Sequence, residues 1–230
     1  MKISLAELHR MCTAAASAAG ASRLVARSLA DATVDAEACG QKAVGVAHFF
    51  DYLDAFRAGR IDPIAMPVLM RIKPGIFHSD AKGGIAQLGF DRAFNRFAAA
   101  ATKHGLALFT QTNAWTCGAL GYHAERLARQ GLVALAATNA TAMIAGGGAI
   151  KPIYGTNPMA FAAPVAGGSP LLVDQSSSAT AFVNVRAARE RGSAIPDGWA
   201  IDRDGNPTND PKAAMKGALL AFGGARGGNL

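Results

Sequence analysis

The residues best placed to do chemistry fall in four short stretches of the 230-residue chain. His48 stands near the start of a short helical pattern, where its imidazole could face a substrate or pack at a core edge beside Phe49 and Phe50. Gly155-Thr156-Asn157-Pro158 is a polar turn between apolar segments. Its amides, the Thr156 hydroxyl and the Asn157 carboxamide could orient a ligand, or simply form an Asx-turn ahead of proline. Asp174, Gln175, Ser176, Ser177 and Ser178 follow a strand pattern, a common place for ligand loops and equally for a helix N-cap. Gly223-Gly224-Ala225-Arg226-Gly227-Gly228 could wrap a phosphate with backbone N–H groups and the Arg226 guanidinium. His9, His78, His104 and His123 read as surface or packing residues.

Several chemistries are excluded by pattern. There is no P-loop, no Gly-x-Gly-x-x-Gly after a leading strand, no Gly-x-Ser-x-Gly and no His-Glu-x-x-His. Cys12, Cys39 and Cys117 have neither even parity nor metal-ligand spacing, and read as reduced, buried thiols of a cytoplasmic protein with no metal. The net charge of +7 is scattered with no aromatic-interleaved basic stripe, which argues against nucleic acid and suits a small anionic substrate. Residues 131–150 are low in charge, yet Thr138, Asn139, Thr141 and Gly146-Gly147-Gly148 make them a strand feeding a loop, not a membrane span. An apolar share of 50% against 17% charged describes a globular chain.

The elements that must carry these residues follow from periodicity and caps. Ser4 and Glu7 have capping-box spacing for a helix to about Ala19, closed by Gly20. A second helix runs from Ser22 to about Cys39. A third, Val46–Phe56, places Phe49, Phe50, Leu53 and Phe56 near one face and stops at Gly59. Strands are expected at 68–72, 75–78, 106–110, 132–137, 159–163 and 171–174, and helices at 86–103, 119–130 and 179–191. Phe90, Phe94 and Phe97 recur at core spacing, and Asp204-Gly205-Asn206 marks a turn. The rhythm is α/β, divided into a helical N-terminal unit (1–62) and an α/β cofactor- and substrate-binding body (63–230).

Three segments in order carry a family likeness: Gly155 to Pro164, Leu172 to Ser178, and Phe222 to Gly228, with Ile195 to Thr208 and Asp210-Pro211 between them. With them the chain resembles, from Met1 to Leu230, the malate/L-lactate dehydrogenase family of the non-Rossmann type. That family includes ureidoglycolate, sulfolactate and diketogulonate oxidoreductases and piperideine/pyrroline-2-carboxylate reductases. The resemblance implies a non-Rossmann α/β fold, NAD or NADP as cofactor, and hydride transfer between nicotinamide and a small 2-oxo or 2-hydroxy acid or a cyclic imino acid. It also implies a homodimer in the full-length form. Family members are longer, so the glycine-rich ending at Leu230 reads as a C-terminal truncation.

The resemblance assigns Asn139, Ala140, Asp174, Gln175, Ser176, Ala225 and Arg226 to the cofactor, Arg226 standing where the family has lysine. It places His48 at the substrate, where Thr156 and Asn157 of the polar turn are the further substrate-binding candidates. The family's Ser-His-Gly-x-x-Arg stretch corresponds to Ala43-Val44-Gly45-Val46-Ala47-His48, and the histidine of its Asn-His-Phe-Gly pattern to Thr116. Serine, both histidines and the carboxylate-binding arginine are therefore replaced, and His48 and Thr116 are left as the catalytic candidates. Loss of a general acid typically lowers rate ~10²–10⁴-fold, and Val44 can neither donate a proton nor hydrogen-bond an oxyanion. His48 is then either an anion contact or a displaced acid. The alternative to an oxidoreductase is a catalytically impaired remnant that only binds a nucleotide or partner, or has no activity.

Overall fold

The structure is a computed structural model, and it describes residues 3–224. Its first helices are α1 (Leu5–Ala18), α2 (Arg23–Ala38) and α3 (Val46–Arg57). Then come β1 (Val68–Lys73), β2 (Ile76–Asp80), α4 (Ala86–His104), β3 (Leu108–Thr112) and α5 (Leu120–Ala128). Short strands follow: β4 (Ala134–Ala137), β5 (Ala142–Ala145), β6 (Pro152–Gly155), β7 (Met159–Ala163) and β8 (Leu171–Gln175). The described chain closes with α6 (Phe182–Arg191), β9 (Ala200–Ile201), α7 (Pro211–Ala214) and β10 (Ala218–Leu219).

Caps set the helix starts as the sequence requires. Ser4 Oγ accepts from Glu7 N at 3.1 Å, and Ser22 Oγ accepts from Val25 N at 3.4 Å. The start of α3 is different, because Gly45 at its N-cap has no hydroxyl. Glu37 reaches over from α2 and accepts from Val46 N at 2.7 Å. A Cβ at position 45 would lie 2.9 Å from Glu37 Cγ, so glycine leaves room for this carboxylate, which a larger residue would turn aside.

The chain divides into two compact units. The first comprises residues 1–134 and 162–171. Its core gathers Cys12, Val25, Leu29, Phe49, Leu53, Phe56 and Ile61 from the first three helices, joined by Ile85 and Leu88. Sheet β1-β2-β3 has an antiparallel pair and a parallel pair: Met70 opposes His78, and His78 opposes Thr110. The second unit comprises residues 135–161 and 172–230. It holds sheet β6-β5-β10-β9, in which β5 and β10 run parallel, over a core of Ile144, Val185, Ala188, Ile195 and Leu219. A further sheet has the order β4-β7-β8.

Several expectations need correction. Phe50 is 59% exposed: α3 buries Phe49, Leu53 and Phe56, and Phe50 lies one step off that face. Of the cysteines only Cys12 is buried; Cys39 is exposed and Cys117 intermediate, and all three are free thiols. The stretch after Leu132 holds two short strands, β4 and β5, where one was expected. No helix among the described residues is long and apolar enough to cross a membrane.

Candidate functional site

His48 is the third residue of α3, and its ring is held on three sides. Nδ1 lies 2.9 Å from Asp51 Oδ2, one turn further along the helix. The Tyr52 ring meets it edge-on at 5.0 Å, and the Trp115 indole runs nearly parallel to it, 13° off plane at 6.4 Å. The Arg60 guanidinium lies over Trp115, 6.0 Å from the ring centroid. The imidazole side chain keeps 23% of its surface in solvent.

Tyr52 is buried and its hydroxyl is fully engaged. Oη donates to Thr116 O at 2.8 Å and accepts from Gln87 Nε2 at 2.9 Å. Burial pushes the phenol well above its ordinary range, so it stays protonated. Gln87 has only 1% of its surface exposed, and its Oε1 has no partner. Gly118, with φ +67°, sits over this pair, and a Cβ there would lie 3.2 Å from Gln87 Nε2. The loop 115–118 is thus gripped by α3 and by the Trp115 N–H donating to Gly84 O at 3.0 Å. His123 on α5 adds a contact, its Nε2 3.3 Å from Cys117 O. Burial depresses the His123 pKa to about 4, which keeps that ring neutral.

Sequence reasoning placed His48 and Thr116 in one site, and the structure brings both against Tyr52. Thr116 contributes chiefly through its backbone: its carbonyl accepts a hydrogen bond from the Tyr52 hydroxyl, and its Oγ1 accepts from Gly118 N at 3.4 Å. Asp51, Tyr52 and Gln87 were missed. Asp51 had a signal, since a carboxylate three residues after a histidine on a helix shares its face. Gln87 had none, because 35 residues separate it from Tyr52. Val44 has joined an apolar cluster with Ala32 and Ala36 of α2, Ala119, and Tyr122 of α5.

In the second unit three segments distant in sequence converge. Asn157, in the left-handed region at φ +27°, accepts through Oδ1 from Ala140 N at 3.1 Å. Gly155 presses on Ala140 O so closely that a Cβ would collide with it. Ser177 N donates to Thr156 O at 2.8 Å, and Ser177 Oγ donates to Asn157 O at 3.0 Å. Beside them Ser176 Oγ and Ser178 Oγ are 2.8 Å apart, and Ser178 Oγ donates to Thr180 O at 2.7 Å. Asn139, Ala140, Thr156, Asn157 and Ser176 therefore belong to one neighbourhood, with Asp174 and Gln175 at the end of β8 leading into it. The carboxamide oxygen of Asn157 is committed to holding that neighbourhood together. Ala225 and Arg226 lie outside the described residues.

A groove of about 680 Å³ runs through the same unit, walled by Gly146, Gly147, Gly148, Trp199 and Phe222. Its size is within the range of cofactor sites. A wall of consecutive glycines lets backbone N–H groups approach an anionic ligand without side chains intervening. The groove's lining suits a nucleotide in two respects: glycine backbone for phosphates, and the Trp199 and Phe222 rings for apolar contact. Elsewhere, the donor atoms of Asp35, Cys39 and Glu125 lie within 4.8 Å of one another, and burial followed by repulsion from Glu125 raises the Asp35 carboxyl. Arg129, 2.6 Å from Glu125, supplies the counter-charge there.

Comparison with known proteins adds a further finding. Residues 3–230 match the family described as malate/L-lactate dehydrogenase. The chain is 37% identical to a (2R)-3-sulfolactate dehydrogenase (NADP(+)) of Chromohalobacter salexigens, over 99% of this chain and 68% of that protein. It is 36% identical to a Delta(1)-pyrroline-2-carboxylate/Delta(1)-piperideine-2-carboxylate reductase of Pseudomonas putida, over 100% of this chain and 68% of that one. Among solved structures, a delta1-piperideine-2-carboxylate reductase of Pseudomonas syringae superposes with a TM-score of 0.95 at 34% identity, covering all of this chain and 69% of the other. The chain thus spans about two thirds of the length of these relatives.

Proposed function

The chain belongs to the malate/L-lactate dehydrogenase family, and on that premise we propose that it is an NAD(P)H-dependent reductase of small cyclic imino acids. One observation carries the choice of substrate. At the position where family resemblance expects the proton-donating histidine, Val44 is packed into an apolar cluster. A 2-oxo acid needs a strong donor at the oxygen that becomes an alkoxide. An imine nitrogen is more basic than a carbonyl oxygen and accepts a proton from a weaker acid, so a single imidazole can serve in place of the fuller donor set. His48 is the proton-exchanging group left in that site, beside the aromatic wall of Trp115. The relatives named for pyrroline and piperideine carboxylates support the same direction.

The nucleotide, when bound, supplies the hydride. The chain's own contribution is to hold it, with Asn139, Ala140, Asp174, Gln175, Ser176, Ala225 and Arg226 as proposed contacts and the glycine wall as proposed backbone cradle. Thr156 is proposed to orient the substrate, with Asn157 fixing the turn that presents it. With this reading go a homodimer, checked by light scattering, and a cytoplasmic location. The comparisons lend no support to the binding-only alternative.

The test is turnover by the purified chain with NADPH and NADH. Delta(1)-pyrroline-2-carboxylate and delta(1)-piperideine-2-carboxylate are expected to be reduced faster than pyruvate, oxaloacetate or the oxo form of sulfolactate. A preference for any oxo acid would overturn the imino-acid assignment.

A further inference from the structure

We propose that His48 delivers the substrate's proton through Nε2 and that Asp51 is its positioning residue. The proposal rests on the imino-acid reading above and deepens it. In outline, His48 could either bind the substrate carboxylate, as arginine would, or act as an acid, and the geometry separates the two. A carboxylate only accepts hydrogen bonds. With Asp51 Oδ2 2.9 Å from Nδ1, the ring carries its hydrogen on Nδ1 when neutral, and Nε2 is the end that exchanges a proton. Among the described residues Nε2 has no hydrogen-bond partner, and the side chain reaches solvent.

Charge points the same way. A protonated His48 beside Asp51 forms a pair of zero net charge, which attracts a substrate carboxylate far less than an isolated guanidinium does. The same pairing stabilises the imidazolium, the one form that carries hydrogen on both nitrogens and so can give a proton from Nε2 while Asp51 keeps the other on Nδ1. Orientation is fixed from outside the pair as well. Tyr52 stands edge-on to the ring and is itself clamped between Gln87 and Thr116 O, while Trp115 lies parallel on another side. A ring so held presents Nε2 in one direction.

The step balances simply. The Nε2–H bond breaks as the imine nitrogen gains its N–H bond, the substrate carbon accepts the hydride supplied with the reduced nicotinamide nucleotide, and solvent returns a proton to Nε2. The product is the cyclic amino acid. Asp51 gains and loses nothing; it keeps the hydrogen on Nδ1 throughout.

Two measurements on the purified chain test the proposal. Nitrogen-15 NMR of labelled histidine reads the tautomer without any turnover. The neutral His48 ring is expected as the Nδ1–H form, shifting largely to the Nε2–H form in Asp51→Ala and returning in Asp51→Glu. A wild-type ring already in the Nε2–H form, or one unchanged by Asp51→Ala, would overturn the positioning role. Kinetics with NADPH and delta(1)-pyrroline-2-carboxylate then separate acid from anion contact. His48→Gln is expected to lower kcat by ~10²-fold or more with KM little changed, as loss of a general acid does. Asp51→Ala should lower kcat by a smaller factor, with Asp51→Glu recovering most of it. A raised KM at unchanged kcat in His48→Gln would overturn the proton role in favour of carboxylate binding. Absence of turnover by the unsubstituted chain on every imino and oxo acid would overturn both the reductase reading and proton delivery. The tautomer would then tell whether Asp51 still orients the ring.

Discussion

The loop and helix around His48 and the turns around Asn157 are both polar neighbourhoods assembled from distant segments, yet they are built on different principles. In the first, chemistry depends on side-chain identity, and the identities differ from those the family resemblance leads one to expect: Val44 is packing, and Thr116 works through its carbonyl. In the second, every contact around Asn157 has a backbone group on at least one side. Ala140 N, Thr156 O, Asn157 O and Ser177 N are all engaged, two of them by the Asn157 carboxamide and the Ser177 hydroxyl, and the geometry survives changes of side chain elsewhere so long as Gly155, Asn157 and Ser177 remain. A site made of backbone is preserved by preserving the fold. A site made of side chains can be rewritten one residue at a time.

That contrast can be broken by experiment, beginning with Gly155→Ala. Its Cβ would collide with Ala140 O, and the turn must open to accept it. We expect a loss of about 3 kcal/mol in urea unfolding, at the upper end of over-packing costs, together with loss of NADPH binding by calorimetry. Unchanged stability and binding would show that the second neighbourhood does not depend on this close approach.

The next effect is a pH dependence belonging to the first region. The folded-state pKa of His123 is about 4, below the ordinary 6.5, so between these values the unfolded chain binds more protons than the folded one. Stability is therefore full above about pH 6.5 and falls as pH drops towards 4, by on the order of 2–3 kcal/mol for a shift of this size. His123→Phe should remove that part of the slope between pH 7.5 and 5. Identical slopes for both proteins would reject it.

Tyr52→Phe sharpens the comparison at smaller cost. It leaves the buried Gln87 Nε2 unpaired and removes the donor to Thr116 O, and we expect about 1–2 kcal/mol of destabilisation. Backbone-amide exchange should quicken over residues 115–118 and stay unchanged over 155–158. The smallest expected effect is that of Asn157→Ala, about 1 kcal/mol, with exchange quickened at Ala140 and no change at His48.

Much of the helical layer was legible in the sequence because its determinants are local. Ser4 and Ser22 cap the helices their spacing announces, and α3 begins at Val46 as periodicity requires. The strands β5, β6, β9 and β10 were not legible. Each has two to four residues, several of them alanine or glycine, and β10 pairs with β5 across more than 70 residues of chain. Pairing, not propensity, defines such strands. The candidate site divides in the same way. His48 and the polar turns stand out as residue types, whereas Gln87 reads as one more helix former until Tyr52 is seen against it. Asp51 was readable from its spacing, although a histidine and a carboxylate so spaced on a helix more often make a solvated pair than a site.

The packing of Val44 against Ala32, Ala36, Ala119 and Tyr122 has a consequence for substitution at this position. A histidine at position 44 would place a polar ring where two alanines of α2, the N-cap alanine of α5 and a tyrosine close on a valine. Such a change is thus conditional on compensating changes at several other sites. A packed cluster of this kind acts as a ratchet: each substitution that improves its fit makes a polar residue at its centre harder to admit.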